Sequence, residues 1–113
     1  MNNRELALKM AKYLINKRAF DVVVIDITGK SSFTDYLIVA TGGSERHIGT
    51  LATEINEQMA KQGVFAKGIE GKSESGWILL DFGDLIVNIF STEQRERYHL
   101  EKVWADGSFL NIE

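Results

Sequence analysis

Two apolar stretches, residues 77–82 and 85–90, are separated only by Gly83-Asp84, and this spacing constrains the fold more than any other feature of the chain. A two-residue connection with glycine first is what a type II′ turn requires, so the stretches pair as an antiparallel hairpin. The register follows by counting. Phe82 faces Leu85, Asp81 faces Ile86, and Trp77 faces Phe90. Side chains alternate across a strand, so one face collects Ile78, Leu80, Phe82, Leu85, Val87 and Ile89, all apolar, and is the core face. The other collects Trp77, Leu79, Asp81, Ile86, Asn88 and Phe90. Large apolar groups interrupted by an acid and an amide mark a sheet face that helices leave uncovered, or that a partner covers.

The rest of the chain supplies the layers for such a sheet. Residues 4–17 place Leu6, Met10, Tyr13 and Leu14, with Ala7 and Ala11, on one helical face. Residues 21–27 and 36–40 are β-branched runs that suit central strands, joined through the loop residues Gly29-Lys30-Ser31-Ser32. After Gly42-Gly43, Ser44 caps a helix carrying Ile48, Leu51, Ala52, Ile55 and Met59, which stops near Gly63. Residues 64–69 read as a strand, and the polar run 70–76 as the most mobile loop. Ser91-x-x-Gln94 has capping-box spacing and opens a charged helix to about Trp104, with Gly107 beyond its end. The order is α-β-β-α-β-β-β-α. It implies an α+β (mixed α/β) fold, a single domain over 1–113 with a mixed five-stranded sheet flanked by helices.

Composition removes several classes of chemistry. Without cysteine there is no disulfide, thiolate nucleophile or Cys-ligated zinc, and the two histidines, His47 and His99, lack metal-ligand spacing. Sixteen acids against thirteen bases give a net charge of -3, so no broad electrostatic footprint for nucleic acid exists and direct binding to it is not expected. No apolar run approaches the ~20 residues of a membrane helix, and the amphipathic start is unlike a signal peptide; a soluble, cytoplasmic protein is expected. Gly42-Gly43-Ser44 at a helix start could cradle a phosphate, which makes a phosphoryl-transfer enzyme the competing reading. Two-metal chemistry needs converging carboxylates. No Asp or Glu is followed two places on by another, Asp21 and Asp26 face opposite sides of their strand, and Asp81 and Asp84 straddle the turn. The plainer roles are a tight turn and an N-cap.

Arg46 and His47, in the first turn of a helix, are solvated unless they contact a partner or anion. Asp35 is a turn-former. Glu93, Arg95, Glu96, Arg97, Glu101 and Lys102 read as a solvated helix face, and Tyr98 and Trp104, six apart, cannot share one side of a helix, so at least one packs inward.

Several motifs together then resemble one family. They are Ser31-Ser32-Phe33-Thr34-Asp35-Tyr36, Gly42-x-Ser44-x-Arg46-His47, Glu70-Gly71, and Gly76-Trp77-Ile78-Leu79-Leu80-Asp81-Phe82-Gly83-Asp84. The run from Phe90 through Arg95-Glu96-x-Tyr98-x-Leu100-Glu101-x-Val103-Trp104 completes the set. Over about residues 6–106 the chain resembles the Iojap or ribosomal silencing factor S family, which typically carries histidine where this chain has Asn88. The resemblance implies a nucleotidyltransferase-like fold and a non-enzymatic translation regulator without cofactor. It also implies binding to the large ribosomal subunit through ribosomal protein L-fourteen, which obstructs joining of the small subunit. Homodimers are a family trait that the sequence neither shows nor excludes. The partner-binding residues expected from register and resemblance together are Trp77, Leu79, Asp81, Ile86, Asn88 and Phe90. Trp77 would be an anchor whose loss weakens binding more than folding. A partner rich in Lys and Arg would suit the net-acidic chain. A permanent structural subunit is a third class, separated from a regulator by whether binding is reversible and salt-sensitive.

Overall fold

The computed structural model describes residues 1–112. Helix α1 (Asn3–Asn16) leads to strands β1 (Phe20–Asp26) and β2 (Tyr36–Thr41), helix α2 (Glu45–Lys61), and strands β3 (Gly68–Lys72), β4 (Trp77–Asp81) and β5 (Leu85–Phe90). Helices α3 (Thr92–Tyr98) and α4 (Leu100–Val103) and the two-residue strand β6 (Ser108–Phe109) follow. The sheet order is β3-β4-β5-β2-β1-β6, antiparallel throughout except for the parallel β2–β5 pair.

The hairpin has the register that counting gives, with Trp77 opposite Phe90, Leu79 opposite Asn88 and Asp81 opposite Ile86. Gly83 sits at φ 91, the positive value demanded of the first turn residue, and the Phe82 N–H donates to the Leu85 carbonyl at 2.9 Å. The Asp81 carboxylate accepts from the Gly83 N–H at 2.8 Å, which fixes the turn further. Ile78, Leu80, Phe82, Leu85, Val87 and Ile89 all lie in the main core. They meet the buried faces of α1 (Leu6, Ala7, Met10, Ala11, Leu14) and α2 (Ile48, Leu51, Ala52, Ile55, Met59). Ser44 caps α2 as expected, accepting from the His47 N–H.

Three local readings need correction. The strand expected at 64–69 lies at Gly68–Lys72 and takes up part of the expected mobile loop. Val64 and Ala66 face the core from a connecting segment, while β3 is an exposed edge strand whose residues need no apolar pattern. The charged helix expected to reach Trp104 breaks at His99, which adopts a left-handed φ of 45. The sheet has a sixth strand, β6, pairing Phe109 with Ile25 and Ser108 with Asp26. Two residues are too few for an alternation to be seen in sequence.

Candidate partner-binding face

The sheet face away from α1 and α2 is assembled from alternate residues of neighbouring strands. Register places Glu70, Leu79, Asn88, Val39 and Val23 in one row, and Asp81, Ile86, Leu37 and Ile25 in the next. The C-terminal segment crosses part of this surface. Trp104 packs on a second core of Ile25, Ile27, Leu37 and Ile86, and Phe33 meets the Trp104 ring edge-on at 6.2 Å. The expected uncovered face is therefore open only in part. Ile86, Asn88 and Phe90 are buried, whereas Trp77, Leu79 and Asp81 keep partial exposure.

Trp77 is the centre of the open part. Its ring lies 5.0 Å from Phe90 and 4.6 Å from Tyr98, and its Nε1–H donates to Asn88 Oδ1 at 3.0 Å. Asn88 is 1% exposed, so this bond satisfies an acceptor that water cannot reach. Trp77 is thus both a surface ring and a structural donor. The expectation that its removal spares folding does not fit this geometry.

Tyr98 was not among the expected face residues, and the break at His99 explains its position. On a continuous helix Arg95 and Glu101, six apart, would lie about 120° from one another. The left-handed residue folds the chain back, and Arg95 donates from Nε and a terminal nitrogen to one Glu101 oxygen at 3.0 and 2.8 Å. A third donor of the same guanidinium reaches Thr41 Oγ1 at 2.9 Å. Arg95 is buried, not part of a solvated charge series. Burial pushes the Glu101 carboxyl up, but the hydrogen bonds and charge of Arg95 outweigh it and hold it below its ordinary value. This clamp sets α3 so that Tyr98, 44% exposed, covers one side of Trp77. A cleft of about 280 Å³ results, lined by Glu70, Gly71, Ser75, Trp77, Leu79, Gln94 and Tyr98.

The competing phosphate cradle is filled from within. The Gly42 N–H donates to the Phe90 carbonyl, the Gly43 N–H to His47 Nδ1, and the His47 N–H to Ser44 Oγ, all at 2.9–3.0 Å. The other His47 nitrogen lies 2.9 Å from the Lys17 carbonyl, so the ring staples α2 to the end of α1. Asp84, one of the carboxylates weighed for catalysis, accepts from the Asn3 side chain at 3.3 Å. Among the described residues, no group of three or more His, Cys, Asp or Glu could hold a metal ion. No helix among them is long and apolar enough to cross a membrane.

Comparison with known proteins identifies the family. A family model described as "Ribosomal silencing factor during starvation" matches residues 1–113. Ribosomal silencing factor RsfS of Bacillus subtilis is 33% identical over 113 residues, covering 100% of this chain and 96% of that protein. The protein of the same name from Haemophilus influenzae is 42% identical over 85 residues, covering 75% and 83%. A crystal structure from Chromobacterium violaceum is similar at a TM-score of 0.87 and 28% identity, covering 99% of this chain and 92% of that one.

Proposed function

This chain belongs to the ribosomal silencing factor family, and from that premise we propose that it docks on the large ribosomal subunit through ribosomal protein L-fourteen. Held there, it keeps the small subunit from joining and so lowers translation. The action is steric. A docked domain has only to fill the approach volume and outlast an encounter, so no catalytic group, metal or cofactor enters the mechanism, and the work is done in the cytoplasm.

The single observation that carries the docking site is the Trp77–Tyr98 pair, which is partly exposed beside the acid Glu70, with Asp81 further along the same strand face. Partly exposed aromatic rings are the usual anchors of interfaces, and acids at their rim suit a basic ribosomal protein. Leu79 extends this anchor. Asn88 and Phe90 act from beneath, because they are buried and hold the Trp77 ring, and Ile86 is buried in the second core with Trp104.

Co-sedimentation with separated subunits tests the reading. The protein pellets with large subunits and not with small ones, and binding falls as salt rises. Truncating a central aromatic costs about 2 kcal/mol of binding, so Tyr98→Ala weakens affinity for L-fourteen about 30-fold by calorimetry. Equal pelleting with both subunits, or unchanged affinity of Tyr98→Ala, would overturn it.

A further inference from the structure

Charge is not spread evenly along the chain. Residues 1–18 carry five bases, Arg4, Lys9, Lys12, Lys17 and Arg18, against one acid, Glu5, while residues 19–113 carry eight bases against fifteen acids. The first stretch is net +4 and the remainder net -7, a separation hidden in the overall -3.

The fold keeps that positive stretch together. Because α1 buries Leu6, Met10 and Leu14 against the sheet, Lys9 and Lys12 are exposed on its outer side, about 5–6 Å apart at their Cβ atoms. Among the described residues, Lys9, Lys12 and Arg18 form no ion pair, whereas Lys17 pairs with Glu54 at 3.6 Å and the charge of Arg4 acts on Asp26. The Glu5 carboxylate accepts from the Asn2 N–H in the capping box. The surface ends at the join between α1 and β1. Arg18 at φ 71 and Asp21 at φ 51 are both left-handed without being glycine, and the β1–β2 register shifts between Phe20 and Val23. Arg18 closes α1 as a C-terminal cap, its N–H donating to the Ile15 carbonyl and the Ala19 N–H to the Leu14 carbonyl, both at 3.0 Å, and Asp21 sits in the bulge of β1. Arg18 and Phe20 are both at the surface, with the Phe20 ring, 41% exposed, beside Gly43. Asp21 and Glu45 are exposed at its margin.

We propose that the outer face of α1 and the α1–β1 join form a second contact surface, for the phosphate backbone of RNA, with Phe20 as a ring on which an unstacked base can lie. Unpaired cations beside an exposed aromatic ring are the chemistry of single-stranded RNA recognition. An acidic protein is the competing occupant, and the test separates the two. Helix α1 lies on the helical side of the sheet, while Phe20 pairs with Thr41 in the row that continues through Phe90 to Trp77, so the surface wraps the end of β1 from α1 toward the docking face. It revises the expectation drawn from net charge, and it rests on the docking reading only for the source of the RNA, the large subunit.

The test is anisotropy of a fluorescent polyuridylate of about 20 nucleotides, titrated with the full chain at several salt concentrations. About three phosphate contacts give a slope near -2 in log affinity against log salt, or roughly fifteen-fold weaker binding between about 50 and 200 mM. Combining Lys9→Glu, Lys12→Glu and Arg18→Glu abolishes that slope and weakens low-salt binding at least ~10-fold. Phe20→Ala weakens it at least ~5-fold with little change in slope. A control with Lys61→Glu, Lys67→Glu and Lys102→Glu makes the same change in net charge and retains most binding. No binding by the wild type, equal loss in the control, or equally tight binding to polyglutamate would overturn the proposal, the last pointing to an acidic protein instead. Affinity for isolated L-fourteen is unchanged in the α1 triple variant. If the wild type failed on L-fourteen and still bound the RNA as described, the docking reading would fall and this surface would stand.

Discussion

Replacing Trp77 by alanine removes several interactions at once, and their sizes can be estimated from the structure. The Nε1–H bond to Asn88 disappears, leaving a buried acceptor unpaired at about 1–3 kcal/mol. The ring contacts with Phe90 and Tyr98 contribute about 0.5–1.5 kcal/mol each. Because Trp77 is already partly exposed, its lost burial adds less than a core tryptophan would, and the expected loss of stability is about 2–5 kcal/mol. Urea melts give the total, and a cycle separates its parts. Trp77→Phe keeps a ring but removes the donor, Asn88→Ala removes the acceptor, and the coupling between them is about 1 kcal/mol if the bond forms as described. A Trp77→Ala loss below ~1 kcal/mol, or a coupling indistinguishable from zero, would refute the dual role of this residue. Binding by Trp77→Ala must then be measured on protein verified as folded, whereas Tyr98→Ala reads docking more directly.

Leu80, fully buried on the opposite face, should behave in reverse: Leu80→Ala loses about 2–5 kcal/mol in urea melts while the folded fraction binds L-fourteen as the wild type does. Gly71 stands at φ 89, and an added Cβ would run into the Trp77 carbonyl oxygen, so Gly71→Ala costs about 2–4 kcal/mol and removes amide-exchange protection from Gly68–Lys72. Because Glu101 is held below its ordinary value, its contribution is complete above the ordinary carboxylate range and is lost as pH falls through the lower folded value. Melts between about pH 6 and 3 should show an acid loss in the wild type that Glu101→Gln flattens, with tryptophan fluorescence following it.

What could be read from sequence, and what could not, divides by the range of the interactions. The hairpin was legible because a glycine in a two-residue turn and strict alternation are local signals, and they fixed which residues face α1 and α2. The Ser44 cap and the buried stripe of α2 were legible for the same reason. The break at His99 was not, since histidine is no habitual helix breaker and the forces involved are long-range. Arg95 reaches Thr41 across 54 residues and Glu101 across six, a spacing that only the broken helix brings together. With the break unseen, Tyr98 could not be placed on Trp77, nor could the burial of Phe90 and Asn88 be anticipated. Strand β3 escaped because an edge strand open to solvent carries no apolar pattern.

The central claim, that a docked copy of this chain blocks assembly, is tested most directly by order of addition in a subunit-joining assay on sucrose gradients. Purified small and large subunits are mixed with magnesium, and the protein is added either before mixing or after joined ribosomes have formed. The account predicts a fall in joined ribosomes when the protein comes first, a smaller fall when it comes second, and recovery of joining with Tyr98→Ala. Unchanged joining at saturating protein, or equal loss with Tyr98→Ala, would contradict it.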